Sequence, residues 1–332
     1  MSRSKPARVI IEAPARLHFG FIDLHGGCGR LFGSIGVAVE RPRYVVEVGC
    51  QAGRDQVDGE MVPEVSRIIE RLGRDVRMPG SIAVRVLEHI PRHQGLGSGT
   101  QRDLALGCAL SRLAGQILTA SEIAGRLGRG LRSGIGIAAF ERGGLIVDGG
   151  VTRRPRPAAA SMGTDGVPPI IFQQPLPEEW EFVLASPMGE QGLHGSREEA
   201  VFRSLPAMSD TVAGRISRLV LMKALPAALT DDLQRFGEAI TEIQTLMGQQ
   251  FAPYQAGPYS SARGQAIAEF AREQGAAAVG QSSWGPTVFA LVRGSDAARE
   301  LTAAIRAFVG EAPISLWHTR ASPRGAVVRA LP

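Results

Sequence analysis

The stretch Pro91-Arg92-His93-Gln94-Gly95-Leu96-Gly97-Ser98-Gly99-Thr100-Gln101 separates two segments of different periodicity, and its reading decides the fold. Before it, Ser81 to Ile90 alternates, with Ile82, Val84 and Val86 on one side of a strand. After it, Leu106, Ala109, Leu110 and Leu113 form the buried stripe of a helix that runs to about Leu113. Glycines let backbone amides approach a ligand, and a helix start adds unpaired N–H groups with positive partial charge. Such a strand–turn–helix suits a phosphate or pyrophosphate, although glycine-rich turns also serve as plain connectors. The stretch is neither a GxGxxG fingerprint nor a Walker loop, because no Gly-Lys-Ser/Thr follows.

Outward from this turn, strands and helices alternate. Upstream lie a strand beginning at Val9–Ile11, a long strand from Val37 to Val48, and a helix from Val62 to Leu72. Pro42 interrupts the long strand, which predicts an edge position or a bulge. Downstream, Gly143 to Gly150 returns as a strand ending at Asp148. Arg153 to Pro169 carries no periodicity and reads as an exposed excursion near a boundary. The strand Trp180–Ala185 follows, then helices near Thr211–Ala224, Thr230–Met247 and Ser260–Gln274. Strands near Ala277–Gly280 and Pro286–Val292, a helix from Ser295 to Val309, and strands at Ile314–His318 and Ala326–Arg329 close the chain. Two domains are expected, residues 1–175 and 176–332, each layering helices on a sheet.

Composition narrows the function classes. The 332 residues carry 37 Lys+Arg against 32 Asp+Glu, a net +5 without a basic block, which argues against nucleic acid as partner. Apolar residues are 44% and charged residues 21%, ordinary for a globular chain. No apolar run is long enough to span a membrane, and no signal peptide opens the sequence, so a cytoplasmic protein is expected. Cys28, Cys50 and Cys108 are odd in number and far apart, which excludes a disulfide framework and a structural zinc site. Nearly all the positive charge is arginine, whose planar fork grips phosphate and carboxylate at two points.

Three further glycine-rich stretches accompany the first: Gly26-Gly27-Cys28-Gly29-Arg30 with Gly33-Ser34-Ile35-Gly36, then Arg132-Ser133-Gly134-Ile135-Gly136, then Ser282-Ser283-Trp284-Gly285-Pro286-Thr287. The set resembles the phosphate loop and flanking motifs of the GHMP superfamily of small-molecule kinases. That resemblance implies an α+β protein with a ribosomal-protein-like N-terminal domain and a ferredoxin-like C-terminal domain. The chain departs from the kinases where phosphotransfer needs a base. The position of their motif aspartate is Gly136, and Arg16 replaces a lysine. Glycine can accept no proton, and the pKa of arginine is too high for proton transfer.

A narrower resemblance covers most of the chain. Pro14-Ala15-Arg16-Leu17-His18-Phe19-Gly20-Phe21-Ile22-Asp23, the loop ending Gly97-Ser98-Gly99-Thr100-Gln101, Phe140-Glu141, Leu145-Ile146-Val147-Asp148-Gly149-Gly150 and Gly192-Leu193-His194-Gly195 look like the β-ribofuranosylaminobenzene 5′-phosphate synthase family. Around Gln255, Ala256 and Pro258 depart from the family's pattern. The resemblance implies a transferase acting on phosphoribosyl pyrophosphate and 4-aminobenzoate or 4-hydroxybenzoate. Carbon dioxide and pyrophosphate would leave, at the first committed step towards tetrahydromethanopterin.

That chemistry suggests roles. Arg16, Arg30, Gly95, Gly97, Ser98, Gly99, Thr100, Gln101, Arg132, Ser133, Gly134, Ser282 and Ser283 are candidates to bind substrate or phosphate. Asp23, His93, Glu141 and Asp148 are candidates for catalysis, and Asp23 and Asp148 for holding the magnesium ion that the reaction implies. Each has a plainer reading: Asp23 and Asp148 as turn residues, His93 as loop scaffold. His18 reads as packed, and Trp284 is the tryptophan placed to line a substrate pocket. Met222 and Met247 read as core. A homodimer is the expected assembly.

Overall fold

The computed structural model describes residues 6–58, 61–72, 76, 80–152, 166–255 and 257–332. Most of the expected excursion at Arg153–Pro169 lies outside the described residues. The first half comprises β1 (Arg8–Asp23), β2 (Arg30–Gln51), β3 (Gln56–Val57), α1 (Val62–Leu72), β4 (Ser81–Glu88), α2 (Ser98–Leu113), α3 (Ala120–Leu127), α4 (Ile135–Glu141), β5 (Leu145–Asp148), β6 (Val151–Thr152) and β7 (Ile170–Gln174). The second comprises β8 (Trp180–Pro187), α5 (Gly195–Ser204), α6 (Asp210–Leu219), α7 (Leu225–Leu229), α8 (Leu233–Phe251), α9 (Ala262–Glu273), β9 (Ala278–Gln281), β10 (Val288–Arg293), α10 (Ser295–Val309), β11 (Ile314–Arg320) and β12 (Val327–Leu331).

Among the described residues the strands form two sheets. The larger has eight strands, built on the order β12-β1-β2-β4-β3 with β5, β6 and β7 attached at β2. The smaller runs β11-β8-β10-β9. Numbered within its own half that order is 4-1-3-2, and all its pairings are antiparallel, a ferredoxin-like arrangement.

β1 alternates as a half-buried strand must: Val9, Ile11, Ala13, Ala15, Leu17 and Phe19 have no exposed surface. Part of that row packs under α2, in which Leu106, Ala109, Leu110 and Leu113 are all buried as the periodicity predicts. Pro42 resolves into the bulge. The register jumps from Pro14 opposite Arg43 to Ala15 opposite Val39, and β2 is an interior strand rather than an edge.

The halves share one core. Phe19 lies 5.0 Å, centroid to centroid, from Phe289 of the smaller sheet, and β12 returns to pair with β1. Met247 is buried in that core, but Met222 is 73% exposed, contrary to expectation. The helical run after α6 tightens into a wider turn at Val220–Ala224, which buries Val220 and Ala224 and turns Met222 outward.

Candidate active site

The turn between β4 and α2 closes against the second half. His93, Gly95 and Gly97 all have left-handed backbone, with φ of 59°, 74° and 80°. At Gly95 the approach is tightest, since a Cβ there would run into the Ser282 carbonyl. The Gly95 carbonyl accepts from Ser282 Oγ at 2.7 Å and from the Arg16 guanidinium. The His93 carbonyl accepts from the Gly192 amide at 2.9 Å. Gly97 caps α2 without any side-chain cap, which leaves the first-turn amides facing outward.

These contacts line a cleft of about 680 Å³ at the junction of the halves. Of the residues expected at the site, it brings together Arg16, His93, Gly95, Gly97, Ser98, Gly99, Thr100 and Ser283. Ser282 and Gln101 are fully buried and brace the turn from behind; Gln101 Nε2 donates to the Gly136 carbonyl at 2.7 Å. Trp284 lines the cleft as expected. Burial pulls the Arg16 guanidinium down to about 10, with Glu198 acting the other way, so it stays charged at neutral pH. His93 stacks on His194 at 3.6 Å between centroids, and its pKa is lowered by burial and then by His194, Arg92 and Arg102. His18 is packed, 5% exposed, and burial followed by the Arg16 charge lowers it to about 3.

Two family descriptions match: GHMP kinases N terminal domain over residues 64–144 and GHMP kinases C terminal over residues 221–311. The homoserine kinase of Cytophaga hutchinsonii shares the fold, with TM-score 0.67 at 16% identity over 98% of this chain and 99% of that one. A β-ribofuranosylphenol 5′-phosphate synthase of Methanothermobacter thermautotrophicus is 35% identical over 298 residues, 85% of this chain and 88% of that protein. One from Methanocaldococcus jannaschii is 34% identical over 307 residues, 85% of this chain and 89% of that protein. The chain belongs to the β-ribofuranosylphenol 5′-phosphate synthase family.

Several residues that the synthase resemblance singled out stand elsewhere. Asp148 is fully buried and is not part of the cleft wall: Oδ2 accepts from the Gly134 amide and Oδ1 from the Gly150 amide, both at 2.9 Å, with Ser133 Oγ at 3.3 Å. Burial nevertheless raises its pKa to about 6, the amides only partly offsetting it. Ser133 and Gly134 are thereby tied to this carboxylate instead of to the cleft. Asp23 Oδ1 accepts from the amides of His25 at 2.6 Å and Gly26 at 2.8 Å, a turn closed by its own side chain. Arg30 donates to the carbonyls of Gly149 at 2.5 Å and Gly150 at 2.6 Å. Glu141 is exposed at the end of α4. Arg132 reaches the rim indirectly, 3.2 Å from Glu198 and over the Phe202 ring at 4.4 Å.

Asp23 and Asp148 do not make the magnesium site expected of them. They sit on strands flanking β2, and their oxygens are engaged by backbone amides. Among the described residues no group of three or more His, Cys, Asp or Glu could hold a metal ion. No step below is routed through a cation.

Residues that the sequence did not single out as site residues complete the cleft: Tyr44, Glu64, Arg92, Arg102, Arg129, His194 and Glu198. His194 belonged to a quoted motif and could have been found there. The others come from elements whose approach only the fold reveals. Gly136 faces the turn, since a Cβ there would sit 3.1 Å from Thr100 Cγ2. A carboxylate at this position would have to displace Thr100.

Proposed function

We propose that the protein joins the anomeric carbon of phosphoribosyl pyrophosphate to the ring carbon of 4-hydroxybenzoate that bears the carboxylate, making a ribofuranosylphenol phosphate. The observation that carries this reading is 35% identity over 85% of the chain to a β-ribofuranosylphenol 5′-phosphate synthase. The relatives' product name favours the phenol over the aniline.

The chemistry is consistent with the cleft. As the bond from C1 to pyrophosphate oxygen breaks, its electron pair leaves with the pyrophosphate and the sugar becomes cationic. The ring carbon supplies the pair for the new C–C bond, and the para hydroxyl stabilises the ring cation. The C–CO2 bond then breaks and returns its electrons to the ring. Because the group lost is carbon dioxide and not a proton, the transfer needs no general base, which suits glycine at position 136.

The groups it does need are donors for leaving-group charge. The outward amides of the first turn of α2 and the Arg16 guanidinium supply them. His93, its pKa lowered, stays neutral at pH 7 and donates without adding charge beside the sugar cation. The flat His93–His194 pair and Trp284 form the aromatic wall against which a benzoate ring can lie.

Incubation with carboxyl-labelled 4-hydroxybenzoate and phosphoribosyl pyrophosphate tests the reading, with carbon dioxide and pyrophosphate expected in equal amounts. ATP hydrolysis dependent on a polyol or amine acceptor, without decarboxylation, would replace it with kinase activity.

A further inference from the structure

Behind the glycine turn, the second turn of α2 holds a carboxylate with no exposed surface, Asp103. Its Oδ1 accepts from Arg102 Nε at 3.0 Å and Nη2 at 2.9 Å. Its Oδ2 accepts from Arg67 Nη2 at 2.7 Å and Arg129 Nε at 2.8 Å. Glu64 Oε1 takes a second edge of Arg102 at 2.9 Å and Arg92 at 3.2 Å. Four guanidinium groups thus share two carboxylates, and the connected cluster carries a surplus of two positive charges.

A buried ionic cluster that serves only the fold does best when its charges balance, since unpaired charge away from water is costly. This surplus faces the cleft, because Arg92, Arg102 and Arg129 all line it. Asp58 stands on the same wall, with Oδ2 turned to the Val86 amide at 2.6 Å. Arg129 stands over the first turn of α2, its Nη2 3.4 Å from where a Cβ of Gly99 would lie. Arg16 flanks the other side, its Cγ 3.0 Å from the corresponding position at Gly97. The loop amides therefore lie between two separate cationic groups, and one pyrophosphate on the amides and Arg16 leaves the Asp103 cluster uncompensated.

We infer that the arginines gathered by Asp103 form a second anion station in the cleft, which takes a phosphate monoester dianion, the 5-phosphate of a pentose. The dianion matches the surplus of two charges, and Arg129 presents a fork already oriented by the buried carboxylate. Assigning the dianion to a sugar rests on the transferase reading; the station itself rests on the cluster.

Calorimetric titration with ribose 5-phosphate and, separately, inorganic pyrophosphate tests it on the wild-type chain, Arg129→Ala and Arg92→Ala. Arg129→Ala leaves Asp103 paired with Arg67 and Arg102, and Arg92→Ala does not touch Asp103, so at least one variant stays folded; melting curves check this. Ribose 5-phosphate affinity is expected to fall about tenfold or more in Arg129→Ala and less in Arg92→Ala, with pyrophosphate affinity changed by no more than about twofold. Unchanged ribose 5-phosphate affinity in both folded variants overturns the station. A parallel loss of pyrophosphate affinity also overturns it, because the two anions would then share one site. If ribose 5-phosphate binds through Arg129 but no carbon dioxide is released from labelled 4-hydroxybenzoate, the station stands and the transferase reading falls.

Discussion

The carboxyl of Asp148 receives amide donors from Gly134 and Gly150 and has no exposed surface. In sequence it looked like a ligand, because an acid beside two glycines suits a turn that approaches phosphate. The same glycines leave amides without partners, however, and the nearest acid satisfies them; Asp23 is engaged likewise by His25 and Gly26. Asp148→Ala is therefore expected to cost about 1–3 kcal/mol of stability by leaving buried amides unpaired, measured by denaturant unfolding. Its pH signature has a definite sign. The folded chain keeps the Asp148 proton up to about 6, whereas the unfolded chain releases it near 3.8, so folding takes up a proton between these values. The stability advantage of wild type over Asp148→Asn should narrow as pH rises through that window, and a constant difference would contradict the assignment. At Gly97, φ is 80° and a Cβ would press on Arg16. Gly97→Ala is expected to lower pyrophosphate affinity about tenfold while costing only about 1–2 kcal/mol in stability. Unaltered affinity in calorimetry would make the turn a connector.

At the scale of elements, α2 was legible because both its ends are local: a glycine turn in front and a stripe of leucines and alanines behind. α3 and α4 were missed because each is short, eight and seven residues, too few to show a period. α5 was missed because it buries none of its residues, so no apolar face betrays it. The glycine cradle was readable for the same local reason, whereas Arg102, Arg129 and Tyr44 enter the cleft through packing between distant segments. α2 also carries the cleft's ionic support. Removing Asp103 leaves three arginines crowded without their shared carboxylate. Asp103→Ala is expected to cost about 3–5 kcal/mol, read from urea unfolding, and a change within experimental error would show that the arginines are held by other contacts.

Across the whole molecule, the cleft exists because the two halves are fastened together. Phe19 enters the core beneath the smaller sheet, Ser282 holds Gly95, and β12 closes the edge of the larger sheet at β1. Alternation of strands and helices announced an α+β chain, but nothing in the last segment showed that it returns to the first strand, since pairing between such distant residues leaves no local trace. Deleting residues 327–332 should expose the β1 edge, lower the melting temperature and promote aggregation, seen by light scattering. The central claim concerns what this joined cleft does: it couples a sugar diphosphate to an aromatic acid without a base. Carboxyl-labelled 4-hydroxybenzoate with phosphoribosyl pyrophosphate measures this most directly. The account predicts labelled carbon dioxide and pyrophosphate in one-to-one ratio, dependent on both substrates and lost in Arg16→Ala; label retained in the benzoate, with both substrates present and the protein folded, would contradict it.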